Sequence, residues 1–144
     1  MKTLVKTLKT TVNSITKMNA KLDTIILYVR NIQLLRKFYV ENFNLKVLEE
    51  DEIWVLLSAG NVNIGFHKIG EQYMQKIQPS NQSYNNVKIV FEIDENLEIT
   101  RKEFIKKNIP MRELKTFENY NFWLCDGIDP EGNVFQLKKR KNQL

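Results

Sequence analysis

Two halves of this sequence repeat one pattern of apolar residues. Strand positions and a helix end recur at an offset of 64 residues, and a later set of strand positions recurs at an offset of 71 residues. The first-half positions are Ile25, Leu27, Val29, Asn44, Leu45, Ile64 and Phe66, and their counterparts are Ile89, Phe91, Ile93, Asn108, Ile109, Phe135 and Leu137. Repetition at this scale indicates a duplicated structural unit of roughly 50 residues.

Each unit has the pattern of one strand, one helix and three further strands. Alternation over 24–29 predicts a strand, and apolar residues three and four apart predict a helix that ends near Phe43. Asn31 suits the N-cap of this helix, and Asn44 suits the left-handed residue that ends it. The other elements are strands over 45–50, 53–58 and 62–67, then a strand over 89–93, a helix over 97–107 and strands over 109–114, 120–125 and 133–138.

The length and composition of the chain indicate one globular domain. Its 144 residues are 42% hydrophobic and 27% charged, which is ordinary for such a domain. Apolar runs are far shorter than the roughly 20 residues that cross a membrane, so we expect a cytoplasmic protein without a membrane partner. The single cysteine, Cys125, leaves no internal disulfide, and the single histidine, His67, rules out a histidine-rich metal centre.

The net charge of +5 belongs to the two ends of the chain. Residues 1–21 contain five lysines and no acid, and residues 138–141 are Lys-Lys-Arg-Lys. Residues 22–137 hold 13 basic and 17 acidic side chains, so the central part is acidic. Aromatic residues do not interleave with the charges of these ends, as they do on a nucleic-acid platform. We therefore expect solvated arms and no nucleic-acid partner.

The N-terminal arm has the pattern of an amphipathic helix, with lysines opposite an apolar face of Leu4, Leu8, Val12 and Ile15. The pattern suits a helix docked on the domain or on a partner subunit, a membrane-surface segment, or a targeting peptide. A start of the folded domain at Met18 is a further alternative. An added helix or such a start is the preferred interpretation.

These patterns set the expected domain organisation. Residues 69–86 are polar and contain glycine, proline and several asparagines, which is typical of a linker. The expected parts are a basic extension over 1–21, a first module over 22–68, a linker over 69–86, a second module over 87–140 and a basic tail over 141–144. The two modules and their linker form the single domain, 22–140.

Two stretches carry a resemblance to a known superfamily. LDTIILYVRNIQLLRKFYVENFNLKV contains the opening strand and the Phe38-Tyr39 pair near the helix end. FWLCDGIDPEGNVFQLKKR contains the turn DPEGN, residues 129–133, before the last strand. In this order, within a duplication, they resemble the vicinal oxygen chelate superfamily of glyoxalases, bleomycin resistance proteins and extradiol dioxygenases. The resemblance spans residues 22–140 and departs at Asn44, where the superfamily usually has glycine.

The resemblance implies an α+β fold in which two βαβββ modules form an open, incomplete β-barrel around a cleft. Enzymes of the superfamily hold a divalent metal with ligands from the first and last strands of each module. By position, the corresponding residues here are Thr24, Gly65, Lys88 and Gln136. Glycine has no ligating side chain and lysine repels a cation, whereas such sites need carboxylates or imidazoles. We therefore expect neither a bound metal nor another cofactor.

A partial metal site made by His67, Glu92 and Gln136 is the alternative. His67 lies on the same strand face as Gly65, but two residues along a strand displace it by about 6.6 Å. A lone histidine is more often an ordinary polar residue than a ligand. Cys125 is likewise expected to be a small buried residue, because no base that could activate it is visible in the sequence.

Strand alternation selects the side chains that would line the cleft. One face of the outer strands of each module mixes aliphatic, aromatic and polar residues, as a small-molecule pocket does. Two tryptophans are included although the sequence does not fix the register of their strands. The expected lining residues are Thr24, Ile26, Tyr28, Trp54, Asn63, Gly65, His67, Lys88, Val90, Glu92, Trp123 and Gln136. We expect Lys88 to be held by Glu92 or by an anionic ligand, because an isolated ammonium in a concavity is costly.

Three classes of function follow. A metal-free small-molecule-binding protein, which sequesters a drug or carries an anionic or aromatic ligand, fits the missing metal ligands best. The alternative is a lyase or dioxygenase-type enzyme with a degenerate metal site, in which Lys88, Glu92 or His67 acts as acid or base. The third is an interaction module with an incidental cleft. Superfamily members usually dimerise and an incomplete barrel exposes strand edges, so we expect a homodimer.

Overall fold

The computed structural model describes residues 19–74 and 87–141. Module one contains β1 (Thr24–Val29), α1 (Ile32–Phe43), β2 (Lys46–Glu50), β3 (Trp54–Ala59) and β4 (Val62–Lys68), followed by a short α2 (Glu71–Met74). Module two contains β5 (Ile89–Glu92), α3 (Leu97–Lys106), β6 (Phe122–Ile128) and β7 (Val134–Arg140). The helix predicted for the N-terminal arm lies outside the described residues. Within them, no helix is long and apolar enough to cross a membrane.

The strands form two mixed sheets, one from each module. Sheet A has the strand order β1-β4-β3-β2, and sheet B has the order β5-β7-β6. In both sheets the last strand of the module pairs in parallel with the first strand and antiparallel with the strand that precedes it in the chain. In the described part of the chain neither sheet closes on itself. The predicted α+β fold of two related modules with an open barrel is confirmed.

Asparagines mark both ends of the two long helices. The Oδ1 atoms of Asn31 and Asn96 each accept a hydrogen bond from the amide three residues later, which caps α1 and α3. Asn44 and Asn108 adopt left-handed conformations, with φ of 53° and 61°. Asparagine tolerates this region because its short side chain bonds locally. The predicted cap at Asn31 and helix end at Asn44 are confirmed.

One hydrophobic core joins the two modules, because α1 lies between the sheets. The ring centroid of Tyr39 on α1 lies 5.3 Å from that of Phe66 in sheet A, and the centroid of Phe43 lies 4.2 Å from that of Phe91 in sheet B. Phe135 of β7 is fully buried in the same cluster. One side of each sheet therefore points into this core. The other side, which we call the open face, points away from it.

The strand predicted over 109–114 is reduced to two isolated bridges with β6, which join Met111 to Gly127 and Lys115 to Leu124. Pro110 has no amide hydrogen and cannot donate to a ladder at this point. Its carbonyl still accepts the amide of Ile128, so the segment follows β6 without forming a regular strand. Sheet B thus has three strands in the described residues, where sheet A has four.

The turn at 129–133 fastens module two to module one. The carboxylate of Asp129, 4% exposed, accepts a hydrogen bond from the Tyr39 hydroxyl at 2.8 Å and further bonds from the Glu131 amide and from the amide and side chain of Asn133. The Glu131 carboxylate accepts the amides of Arg30 and Asn31 at the start of α1. We call Tyr39, Asp129 and Glu131 the inter-module clamp.

Candidate functional site

The side chain of Gln136 lies on the open face of sheet B, where it binds a buried carboxylate. Its Nε2 atom donates to Oδ1 of Asp126 at 2.7 Å, because the register pairs the two residues across β7 and β6. Asp126 is 2% exposed and Gln136 is 9% exposed. The amide of Gln136 therefore holds the Asp126 carboxylate in a fixed orientation.

Three cations converge on the other oxygen of Asp126. Its Oδ2 atom lies 3.0 Å from Nζ of Lys88, 3.5 Å from Nζ of Lys115 and 3.8 Å from Nη1 of Arg112. These cationic side chains keep between 40% and 57% of their surface exposed. We call the four residues, together with Gln136, the Asp126 cluster. Because one carboxylate balances only one cation, the cluster presents an excess of two positive charges to solvent.

Asp126 is ionised in this cluster. Burial by itself raises the pKa of Asp126, but hydrogen bonds from Gln136 and Lys88 and the charges of Lys88 and Lys115 outweigh it and hold the pKa below its ordinary value. At neutral pH the carboxylate anchors the cations and has no proton to donate. It is therefore unsuited to the role of a general acid.

Lys88 is held by Asp126 and not by Glu92, the carboxylate expected from the sequence. Strand pairing explains the difference, because Asp126 lies opposite Gln136 on the neighbouring strand, whereas Glu92 lies farther along β5. The sequence analysis missed Asp126, although it contained the necessary signal. Counting outward in pairs from the turn at 129–133 brings residue 126 opposite residue 136.

The open face of sheet A carries aromatic rings at its centre. The ring centroids of Tyr28 and His67 lie 5.4 Å apart, and those of Trp54 and His67 lie 6.2 Å apart. Nε1 of Trp54 donates to the Glu49 carboxylate at 2.8 Å, which fixes the indole across the sheet. We call Tyr28, His67 and Trp54 the aromatic wall. Tyr28 is 71% exposed, so the wall offers ring surface for contact.

The four superfamily metal-ligand positions do not fit a divalent metal. A Cβ atom at Gly65 would lie 2.3 Å from the ring of Trp54, so the indole occupies the space that a ligating side chain would need. At a second position, the ammonium of Lys88 is bonded to Asp126. In the residues that the structure describes, no three His, Cys, Asp or Glu side chains are grouped closely enough to hold a metal ion.

The residues predicted to line one cleft are divided between the two open faces. The open face of sheet A carries Thr24, Ile26, Tyr28, Trp54, Asn63, Gly65 and His67, and that of sheet B carries Lys88, Val90, Glu92 and Gln136. Since both open faces point away from the shared core, the two sets do not face each other within one chain. The alternative metal site of His67 with Glu92 and Gln136 is therefore not assembled in a single chain.

Trp123 lies on the core side of sheet B, apart from the other predicted lining residues. It pairs with Lys139, and the alternation of β6 brings Phe122 to the open face instead. The thiol of Cys125 is also on the core side, where it donates to the carbonyl of Arg112 at 3.3 Å. Burial raises the pKa of Cys125, which makes it a poor nucleophile.

Searches for relatives in sequence found none, whereas searches among solved structures found many. No protein-family model matches the chain, and no curated protein matches it. The fosfomycin resistance protein FosX from Listeria monocytogenes has a TM-score of 0.67 and 15% identity, with 88% of this chain and 100% of that chain covered.

Two further solved structures have similar scores. Lactoylglutathione lyase from Agrobacterium tumefaciens has a TM-score of 0.63 and 14% identity over 85% of this chain and 95% of that chain. The antibiotic binding protein TnmS3 from Streptomyces sp. CB03234 has a TM-score of 0.65 and 11% identity over 87% and 99%. At these identities the likeness concerns the fold. The chain has the fold of the vicinal oxygen chelate superfamily, as its sequence resemblance predicts.

Proposed function

We propose that this chain is a metal-free small-molecule-binding protein of the sequestering or carrier type, which binds an anionic group of its ligand at the Asp126 cluster. The observation that carries the proposal is the convergence of Lys88, Lys115 and Arg112 on one buried carboxylate. Such an arrangement leaves positive charge unbalanced at a defined place on the open face of sheet B. A ligand anion is the group that complements it.

The role of Asp126 is to preorganise the cations. Mobile lysine side chains lose conformational entropy when they bind a ligand, and a prior bond to Asp126 reduces that loss. Each cation remains about half-exposed, so donor groups stay available to a second anion. Charge-assisted hydrogen bonds to such an anion are about twice as strong as neutral ones.

We further propose that two copies of the chain form a homodimer in which the open face of sheet A lies opposite the open face of sheet B of the other copy. Ile26 and Val90 on these faces are each 48% exposed, and a partner would cover them. The exposed acidic run at 49–52 beside sheet A complements the cations of sheet B. This arrangement would bring the aromatic wall and the Asp126 cluster to one cleft, where an aromatic anion contacts both.

The named function of one structural neighbour supports a binding role for the fold. TnmS3 is named as an antibiotic binding protein, which supports such a role, whereas the name of FosX states fosfomycin resistance and not how it arises. Lactoylglutathione lyase shows that the fold also serves an enzyme. The donor set at the superfamily positions of this chain favours binding over the lyase or dioxygenase alternative, because a metal-dependent reaction needs ligands that Gly65 and Lys88 do not supply. We place this activity in the cytoplasm.

Isothermal titration with 1-naphthoate and its neutral amide tests the proposed binding site. The anion should bind at least tenfold more tightly, and Lys115→Gln should remove about tenfold of its affinity through loss of a charge-assisted contact. Lys106→Gln, at the end of α3 with its side chain 74% exposed and away from both open faces, is the matched control and should leave the affinity unchanged. Equal binding of the anion and the amide would refute the anion site, and stoichiometric tight binding of Zn²⁺ or Ni²⁺ would refute the metal-free assignment.

Light scattering tests the proposed dimer. The wild-type chain should have the mass of a dimer, and Ile26→Glu should lower it to that of a monomer, because a buried unpaired carboxylate is costly at an interface. Ile99→Glu is the control, since Ile99 is 61% exposed on α3 and away from both open faces. A monomeric wild-type mass would contradict the dimer without affecting the titration test.

A further inference from the structure

A separate cavity of about 640 Å³ lies at one end of module two, on the core side of sheet B. Its walls are the first turns of α3, the segment at 113–114 and the ends of β6 and β7. The lining residues that matter for its chemistry are Trp123, Lys139, Arg140, Lys141 and Asp94. A cavity of this size falls within the range of pockets that bind small molecules.

The charges around this cavity are only partly paired. Arg101 is bound to Glu113 at 2.9 Å, and Glu98 has Lys102 as its partner at 3.8 Å. Of the remaining lining charges, three are cationic, Lys139, Arg140 and Lys141, and one is the carboxylate of Asp94. Within the described residues, none of these three cations forms an ion pair. The cavity therefore has an excess of positive charge at the end of β7.

Two of these cations are held at the cavity. The ammonium of Lys141 lies 5.4 Å from the ring centroid of Trp123. The guanidinium of Arg140 lies instead 4.9 Å from the ring centroid of Phe122, on the open face of sheet B, so its charge is directed away from the cavity. The ammonium of Lys139 donates to the backbone carbonyl of Asp94. Contacts of this kind hold a cation without neutralising its charge. The cations therefore remain free to bind an anion.

This arrangement corrects the expectation of a solvated basic arm without aromatic neighbours. Residues 138–140 belong to β7, and the pairing of Phe122 with Arg140 and of Trp123 with Lys139 interleaves rings with cations. The interleaving arises across two strands that are far apart in the sequence. It is invisible in the linear order of residues.

We propose that this cavity is a binding site for a planar aromatic anion, with the ring of the ligand against Trp123 and its carboxylate or phosphate between Lys139 and Lys141. Trp123 is 40% exposed and provides the aromatic surface, which a ring of the ligand can cover by offset stacking. Aromatic carboxylates and nucleotides share this chemistry. The site is distinct from the Asp126 cluster, because Trp123 and Asp126 lie on opposite sides of β6.

Trp123 fluorescence provides a direct test. The chain has two tryptophans, so Trp54→Phe leaves Trp123 as the sole reporter. In this background we expect adenosine 5′-monophosphate and benzoate to change the Trp123 emission, and their relative affinities to identify the preferred source of the anion. Adenosine, which has the ring alone, and ribose 5-phosphate, which has the anion alone, should bind about tenfold more weakly or worse.

Matched lysine variants test whether the aromatic anion binds in this cavity. Lys141→Gln should weaken binding of the aromatic anion about tenfold, whereas Lys138→Gln should not. Lys138 is a suitable control because it also stacks on a ring, that of Phe122 at 3.9 Å, but lies outside the cavity. Lys115→Gln should leave the Trp123 signal unchanged, which separates this site from the Asp126 cluster. The proposal fails if no aromatic anion changes Trp123 emission, or if Lys138→Gln weakens binding as much as Lys141→Gln.

Discussion

Module one and module two repeat one backbone but differ in what their open faces present. Three matched strand positions hold Thr24, Leu56 and Gly65 in sheet A, and Lys88, Asp126 and Gln136 in sheet B. In sheet A the missing side chain at Gly65 makes room for the ring of Trp54. In sheet B the side chain at the same place reaches Asp126 and completes a charged cluster. One face therefore suits aromatic contact and the other suits an anion.

The contrast shows which residues the duplication constrains. At the centre of both sheets the core-side side chains are apolar because they share one core around α1, whereas Lys139 lies at the end of β7. Side chains on the open faces do not contribute to that core, so they can diverge without loss of the fold. Binding properties therefore cannot be transferred from one module to the other by position alone.

Removal of the inter-module clamp should have the largest effect on the free energy of unfolding. Asp129→Ala leaves the buried Tyr39 hydroxyl and the donors of the turn without their acceptor, and we expect it to lower the free energy of unfolding by about 3–5 kcal/mol. Tyr39→Phe, which removes one of these bonds, should cost about 1–3 kcal/mol. Urea denaturation measures both. A loss below about 1 kcal/mol for Asp129→Ala would mean that the modules are held together by their apolar core alone.

Alanine at the matched positions 65 and 136 sharpens the comparison of the open faces. Gly65→Ala places a methyl group against the ring of Trp54, which must move away from Glu49, and should cost about 1–3 kcal/mol of stability. Gln136→Ala removes one hydrogen bond to a carboxylate that keeps its cations, and should cost about 1–2 kcal/mol. In the double variant Gly65→Ala with Trp54→Ala, the cost of the new methyl group should vanish. Persistence of that cost would place its origin in the backbone.

The pH dependence of stability should reveal the charged cluster of module two. The pKa of Asp126 is lower in the folded chain than in the unfolded one, so its stabilising contribution is complete above the ordinary value of 3.8 and is lost as the pH falls through the lower folded value. Asp126→Asn should flatten the fall of stability in this acidic range. Glu118→Gln, an exposed site, is the control and should leave the slope unchanged. Equal slopes for wild type and Asp126→Asn would contradict the lowered pKa.

The smallest expected effect on stability concerns Lys88. Its side chain is 40% exposed, so Lys88→Met should change the free energy of unfolding by less than about 1 kcal/mol, while it weakens binding of 1-naphthoate. Lys106→Met on α3, with its side chain 74% exposed, should change neither quantity. If Lys88→Met instead unfolded the chain and binding by the remaining folded fraction were normal, Lys88 would have a structural role and the Asp126 cluster would not be the ligand site.

The sequence predicted the elements and the core because both depend on local periodicity. Leu27 and Val29 contribute to the core from the first strand, and Phe135 and Leu137 do so from the last strand. The helix caps followed from the special backbone geometry that asparagine tolerates. The regular strand predicted over 109–114 is not formed, because Pro110 has no amide hydrogen to donate to a ladder, whereas the prediction rested on the apolar pattern alone.

The candidate site was harder to predict from the sequence than the helices, strands and core, since it depends on contacts between strands. The alternation of β5 and β7 predicted one face for Lys88 and Gln136, and both bond to Asp126, whose place required the register of β6. The same register places Trp123 on the core side. The orientation of the two open faces depends on where α1 packs. The apolar pattern of α1 predicts which side chains are buried, but it does not show that the helix contacts both sheets.

The inter-module clamp has a consequence for how the chain folds during synthesis. Glu131 accepts amides that lie 100 and 101 residues earlier, at the start of α1, and Asp129 accepts the Tyr39 hydroxyl from 90 residues away. Module one leaves the ribosome first, with the buried hydroxyl and these helix amides still lacking their acceptors. Contacts so distant in sequence delay folding, because a long loop must close before they form. The first half of the chain therefore reaches its final state only when the last hairpin has been made.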